Sequence, residues 1–273
     1  MDRRTGGATD VTIHSEAKGH PATPAPAGRL IRIPLGLHPL LTARRSKSRH
    51  DHVLRTLGLA IVTGEFPENS LLPGDAELPR RLGVSRTVLR EALKTLSAKG
   101  MVRARAKTGT RVTERRDWNL FDSDVLNWHV EAGVDASFLL HLAEMRLAFE
   151  PEAAALAAVR HEPVHVEELR RWIGVMEASR AAPADFVEGD LRLHLTIADA
   201  SGNPLMRSIS SVIEVALAMT FAISSPLPDM DLHGRTVARH RALVDAIDRG
   251  DADTARGAMR TVINEGLNRA TRT

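Results

Sequence analysis

Asp190 and His194 stand four residues apart, and on a helix that spacing puts both side chains on one face, where they can share a partner. Their neighbours Leu191, Leu193, Leu195 and Ile197 make the segment strongly apolar. A carboxylate turned into a helical core is costly unless it is paired or ligated. An inward Asp190 therefore implies a metal, a His or Arg, or a polar ligand beside it. His240, with Thr236 one turn earlier on the same face, is the third member of this set, and Arg146 has the planar fork that grips a carboxylate ligand. The same residues also admit a plainer account, in which Asp190 and His194 form a helical hydrogen-bonded pair.

A second constellation is basic. In Val84-Ser85-Arg86-Thr87-Val88-Leu89-Arg90-Glu91-Ala92-Leu93, a helix starting after Ser85 buries Leu89, Ala92, Leu93 and Leu96 and sets Arg86 and Arg90 one turn apart on another face. The Ser85 hydroxyl caps the first turn, where free N–H groups and the helix dipole also favour a phosphate oxygen. Arginine at that end can fork onto guanine or onto phosphate. Lys107, Thr108, Gly109 and Arg111 follow at the tip of a short hairpin, placed to meet adjacent DNA backbone. Ser85, Arg86, Thr87, Arg90 and those four are the candidate DNA contacts.

These side chains need elements to position them. Val53, Leu54, Leu57 and Ile61 predict a helix over residues 51–63, stopped by Gly64. A short helix from Asp75 through Arg81, the turn at Gly83, the Ser85 helix closed by Gly100, and two alternating strands complete a winged helix-turn-helix over residues 49–117. Pro79 lies inside the short helix, where it removes a backbone hydrogen bond and shortens the element. From residue 118 to 273 the pattern is helical, in segments 137–160, 164–181, 184–201, 204–223, 235–249 and 251–270, so a bundle of six or seven helices is expected. The fold class is mainly α.

Charge divides along the same line. Residues 1–48 carry 8 basic and 3 acidic side chains, residues 49–117 carry 14 and 8, and residues 118–273 carry 15 and 23. A basic front joined to an acidic back assigns one part to a polyanion and the other to different work. Residues 1–48, rich in Pro, Gly and Ala, read as a disordered basic tail. The 273 residues contain no cysteine, which excludes disulfides, thiolate nucleophiles and Cys-bound metal, so any metal must sit on His and carboxylate. The longest apolar run, Val215 to Ile223, is far short of a membrane span, and the expectation is a cytoplasmic protein with no membrane partner.

The stretch from Gly64-Glu-Phe-Pro through Leu82-Gly-Val-Ser-Arg-Thr-Val-Leu-Arg-Glu-Ala-Leu93 to Gly109-Thr-Arg-Val112 resembles the winged helix of GntR-type bacterial transcription regulators. Glu144-Met-Arg146-Leu-Ala-Phe-Glu150, Asp190-Leu-Arg-Leu-His194, Gly202-Asn-Pro204 and His240-Arg-Ala-Leu-Val-Asp-Ala-Ile247 are similar to the helical ligand-binding domain of their FadR subgroup. Trp118-Asn-Leu-Phe-Asp-Ser-Asp-Val-Leu126 and Thr236 are similar, within it, to the galactonate-responsive repressors. The resemblance implies a homodimer on a double-stranded operator, a repressor released by a small carboxylate or sugar-acid effector, and one divalent metal, zinc or similar, on one Asp and three His. Asp190, His194 and His240 match that ligand set, whereas the third His position falls on Val262; Arg146, Thr236 and the three ligands are then the candidate effector contacts. Ala76 stands where many members carry Arg. The rival from another class is a metal-dependent hydrolase or lyase working through Asp190, His194 and His240; a non-specific architectural DNA binder is a third.

Overall fold

A computed structural model describes residues 48–74, 76–105, 108–133, 136–227 and 229–271. The tail expected before Ser48, the helix start at Asp75 and the wing-tip Lys107 lie outside the described residues. Eleven α-helices and one two-stranded antiparallel sheet are present among them, in keeping with the mainly α class.

Helix α1 (Arg49–Val62) begins where the Ser48 hydroxyl accepts from the Asp51 N–H and ends at Thr63, with Gly64 in the left-handed region. It buries Val53, Leu54, Leu57 and Ile61. Helix α2 (Glu77–Leu82) starts two residues later than the sequence pattern placed it. Pro79 therefore falls in the first turn, where an N–H has no helical partner, and costs the helix no hydrogen bond. Gly83 turns the chain at φ +65°, and Ser85 caps α3 (Arg86–Ala98) by accepting from the Val88 N–H at 3.3 Å. Strands β1 (Val102–Arg105) and β2 (Gly109–Val112) pair from Val102↔Val112 to Arg105↔Gly109. Leu72 donates its N–H to the Thr110 carbonyl, and Leu71 bridges Arg111, so the loop after α1 lies against the wing.

Gly100, which closes α3, takes φ +79°, and a Cβ there would fall 2.1 Å from the Asp117 carbonyl oxygen. Only glycine allows that approach. It brings the turn Arg115–Asp117 against the end of α3 and delivers the chain to α4 (Ser123–Ala132).

Helix α4 belongs to two cores. Val125 and Trp128 bury with Leu57, Leu96, Met101 and Trp118 of the winged helix, while Leu126 and Val130 bury with Leu139, Val212, Val215 and Met219. Its N-terminus is held by Lys99, the last-turn residue beyond α3, whose ammonium lies 2.7 Å from Asp122 and 2.8 Å from Asp124.

The remaining helices are α5 (Ala136–Arg160), α6 (Pro163–Ala178), α7 (Pro183–Ala200), α8 (Pro204–Ser208), α9 (Ser210–Ser224), α10 (Met230–Asp248) and α11 (Ala252–Thr271). With α4 that makes eight described helices after residue 118, against the six or seven expected. The expected helix 204–223 breaks at Ile209 without Gly or Pro to announce it, and α10 starts earlier than residue 235 because the Asp229 carboxylate caps the Leu232 N–H. Ala153, Ala154, Ala157 and Ala158 give α5 a narrow face, on which Ala255, Met259 and Ile263 of α11 join one core. Gly189 lets α7 approach α6, since a Cβ there would meet Met176 at 2.8 Å.

Gly58 of α1 packs closely against Trp128 of α4, where an added Cβ would lie 2.4 Å from the indole. Gly58→Ala should therefore lower stability by about 1–3 kcal/mol through overpacking, outweighing the gain in helix propensity. Gly174, also helical but facing open space, serves as the control: Gly174→Ala should raise stability by roughly 0.5–1 kcal/mol. Thermal denaturation of the two variants checks both signs.

Candidate functional site

Asp190 and His194 on α7 and His240 on α10 converge, each offering a ligand atom within 4.8 Å of the others. His194 and His240 are buried, and the Asp190 side chain is 17% exposed. The orientation of each imidazole follows from what its other nitrogen does. His240 Nδ1 lies 2.8 Å from the Thr236 carbonyl oxygen one turn back and donates to it, so Nε2 is the nitrogen left to face Asp190. His194 Nδ1 lies 2.5 Å from Glu150 Oε2, which likewise turns its Nε2 inward. Both rings thus present Nε2 toward Asp190, at 2.8 Å for His240 and 3.7 Å for His194.

Glu150 is the residue that sequence reasoning missed. Only 3% exposed, it takes the Arg146 fork through Nε at 2.5 Å and a second guanidinium nitrogen at 3.3 Å, and it holds His194. Burial alone would raise its pKa; the charges of Arg146 and His194 and their hydrogen bonds override that and hold it at about 2. The signal was its four-residue spacing from Arg146, which suits an ion pair on one helix face. Arg146 lines the cavity beside Asp190, but its planar fork is taken by Glu150 instead of standing open to a carboxylate ligand. Asp190 resists the upward push of burial in the same way: the contact with His240, then the charges of His194 and Arg146, lower its pKa well below the carboxylate range.

The residues present fit a metal ion. Asp190 Oδ1 and His240 Nε2 face each other at 2.8 Å, an ion pair when the imidazole is protonated and two facing acceptors when it is neutral. In the neutral state the two acceptors would accommodate a metal cation between or beside them. A buried carboxylate with two imidazoles whose far nitrogens are anchored is the donor set of a His and carboxylate metal site. Val262 lines the same cavity from α11, so the position that the resemblance reserves for a third His does reach the site and brings an apolar side chain to it.

The cavity above these residues is about 30 Å³, room for about two water molecules. Thr236 lines it, with its hydroxyl donating to the Leu232 carbonyl at 2.9 Å. Leu217, Thr220 and Phe221 of α9 form another wall.

The basic constellation is also assembled as the spacing indicated. Ser85, Arg86, Thr87 and Arg90 are exposed on the first turns of α3, and Thr108 and Gly109 are exposed at the wing. Arg86, Arg90 and Lys94 edge a groove between α3 and the wing, with Ala104 and Thr110 on its far side. Arg111 differs: it is half-buried and donates to the Asn69 carbonyl, while Arg103 and Arg105, exposed on β1, were passed over by the sequence reading.

This pairing of an arginine-bearing winged helix with a helical domain around a polar cavity defines a two-part regulator. Residues 50–112 match the model of the bacterial regulatory proteins of the gntR family, and residues 141–265 match the FCD domain. The chain is 34% identical over 215 residues to the Escherichia coli (strain K12) HTH-type transcriptional regulator YieP, spanning 76% of this chain and 89% of the relative. It is 30% identical over 222 residues to the galactonate operon transcriptional repressor of the same organism, spanning 81% and 96%. Among solved structures, Lar, which controls the Listeria monocytogenes agr system, superposes with a TM-score of 0.56 at 22% identity over 84% of this chain and 99% of that one, a likeness of fold. The chain belongs to the GntR family and is a DNA-binding transcription regulator with an FCD effector domain. It is not an enzyme, and the hydrolase or lyase alternative is set aside because the family and the relatives are transcription regulators. No helix among the described residues is long and apolar enough to cross a membrane.

Glu150→Ala leaves the buried Arg146 without its counter-charge and should cost roughly 3–5 kcal/mol. The pH dependence has a definite sign. A carboxylate whose folded pKa is depressed contributes stability above its ordinary 4.5 and loses it as pH falls toward about 2. Urea titrations across pH 2–7 should show the wild-type advantage over Glu150→Gln full near neutrality and shrinking between about pH 4.5 and 2.

Proposed function

We propose that the protein is a cytoplasmic repressor that binds a palindromic operator as a homodimer and is released by a small carboxylate or sugar acid in the cavity of the helical domain. Residues 49–117 serve as the DNA-binding unit and residues 118–273 as the effector and dimerisation unit. The observation that carries the effector reading is the convergence of Asp190, His194 and His240, each offering a ligand atom within 4.8 Å of the others. Asp190, His194 and His240 would hold one divalent ion such as zinc. When bound, that ion supplies positive charge to fix carboxylate and hydroxyl oxygens of the effector. With Val262 in place of a third imidazole, the effector's own oxygens have a coordination position to enter. The galactonate operon repressor, similar over most of both chains, supports a sugar acid as the class.

A two-fold dimer presents two α3 helices to half-sites one helical turn apart, about 34–36 Å, so operator symmetry follows from protein symmetry. Coupling runs through packing. Helix α9 lines the cavity with Leu217, Thr220 and Phe221 and buries Val212, Val215 and Met219 with Leu126 and Val130 of α4. Helix α4 in turn holds the end of α3 through Lys99. An effector that displaces α9 therefore re-aims α3, provided it binds that arrangement better than the operator-bound one.

Two experiments test this reading. Arg86→Ala or Arg90→Ala should lose about 1–3 kcal/mol of operator affinity and change base preference at the contacted position, measured by fluorescence anisotropy on a set of operator variants. Unchanged affinity and preference would remove α3 from the DNA interface. Asp190→Ala should keep operator binding while abolishing release by galactonate or a related sugar acid. In the same assay chelation should reproduce the defect in the wild type, and zinc should restore it. Loss of operator binding together with release would assign Asp190 to folding instead.

A further inference from the structure

The cavity is too small for the effector class proposed above, so part of its wall must move. The inner end is fixed, because His194 and His240 are held by Glu150 and the Thr236 carbonyl within the surrounding core. Helices α9 and α11 are also close there, since a Cβ on Gly266 would meet Thr220 at 3.3 Å. The outer end is different. Arg239 of α10 forms an ion pair with Glu265 of α11 across the mouth, and both side chains remain partly exposed, at 38% and 26%. Arg269 of α11 lines the same cavity, where its charge interacts with both Asp190 and Arg239. Long, partly solvated side chains rotate away at less cost than packed helix backbones shift.

The arginines divide by role. Arg146, at the inner end, has its fork taken by a carboxylate that is 3% exposed and held twice over. Arg239 is matched by Glu265 alone among the ion pairs described for it, at a partly solvated site. A carboxylate arriving from solution can exchange with Glu265 there, taking over the guanidinium as Glu265 swings into water; the exchange conserves the charge pairing and enlarges the cavity.

We infer that Glu265 is a built-in stand-in for a second acidic group of the effector, and that Arg239 is the residue that selects a diacid over a monoacid. This rests on the reading of the cavity as an acid site. One carboxylate, with its neighbouring hydroxyl, faces Asp190, His194 and His240; the other displaces Glu265 from Arg239, with Arg269 adding positive charge beside it. The ligand class is an aldaric acid, a polyhydroxy chain with a carboxylate at each end.

The test is calorimetric titration of the full chain, in zinc-containing buffer, with galactarate and with galactonate, which differ only in a terminal carboxylate against a terminal CH₂OH. Galactarate should bind about tenfold more tightly or better. Arg239→Ala should bring the ratio of the two affinities near one. Glu265→Gln, which keeps the side chain's size but removes the competing charge, should tighten galactarate binding further; a merely structural ion pair would weaken it. Galactonate binding as well as or better than galactarate overturns the inference while leaving the acid-site reading intact. So does an Arg239→Ala variant that weakens both ligands equally, or a Glu265→Gln variant that weakens galactarate. If neither acid binds, the acid-site reading falls and this inference with it.

Discussion

The cavity depends on one buried carboxylate. Taking Glu150 out of water is unfavourable by itself, and it stays ionised only because Arg146 and His194 surround it. That same requirement orders the site. Glu150 consumes the guanidinium that would otherwise leave an unpaired charge in the core, and it claims His194 Nδ1, which directs Nε2 toward Asp190. The Thr236 carbonyl performs the second half of this task for His240. Two imidazoles are thereby held in orientations that turn Nε2 of each toward a shared space.

A site of this kind can regulate DNA binding only if its wall is mechanically continuous with the recognition helix. Helix α4 provides that continuity, because its opposite faces are buried in different cores and its capping aspartates grip Lys99. Typical allosteric coupling is about 1–3 kcal/mol, less than the roughly 3–5 kcal/mol that breaking a buried ion pair costs. The clamp at Lys99, with both aspartates partly exposed, falls below that figure, and the burial of α4 in both cores is what stiffens the junction. The close seat of Trp128 on Gly58 has the same consequence for α1.

Much of this was legible from local chemistry. The Ser85 cap, the left-handed stops at Gly64, Gly83 and Gly100, and the alternating wing strands are imposed by a few neighbouring residues. Asp190, His194 and His240 stood out because polar groups in apolar helices must find partners. The break at Ile209 did not, since neither Gly nor Pro marks it. Arg146 shows the limit more clearly: its spacing fits an ion pair with Glu150, its chemistry fits a ligand carboxylate, and nothing in the order of residues chooses between them. The half-buried position of Arg111 against the Asn69 carbonyl is of the same kind.

The amino-acid order by itself determined most of the helical segments and turns, which helix carries a pair of exposed arginines, and that an aspartate and two histidines belong together. Those follow from periodicity, capping and the cost of burying charge, all set within a few residues. Which carboxylate neutralises which arginine, which imidazole nitrogen faces inward, and how α4 joins the two cores were decided only when α5, α7, α9, α10 and α11 packed. These are distances between residues far apart in the chain, and the free energy of a charge depends on those distances and on the water excluded between them.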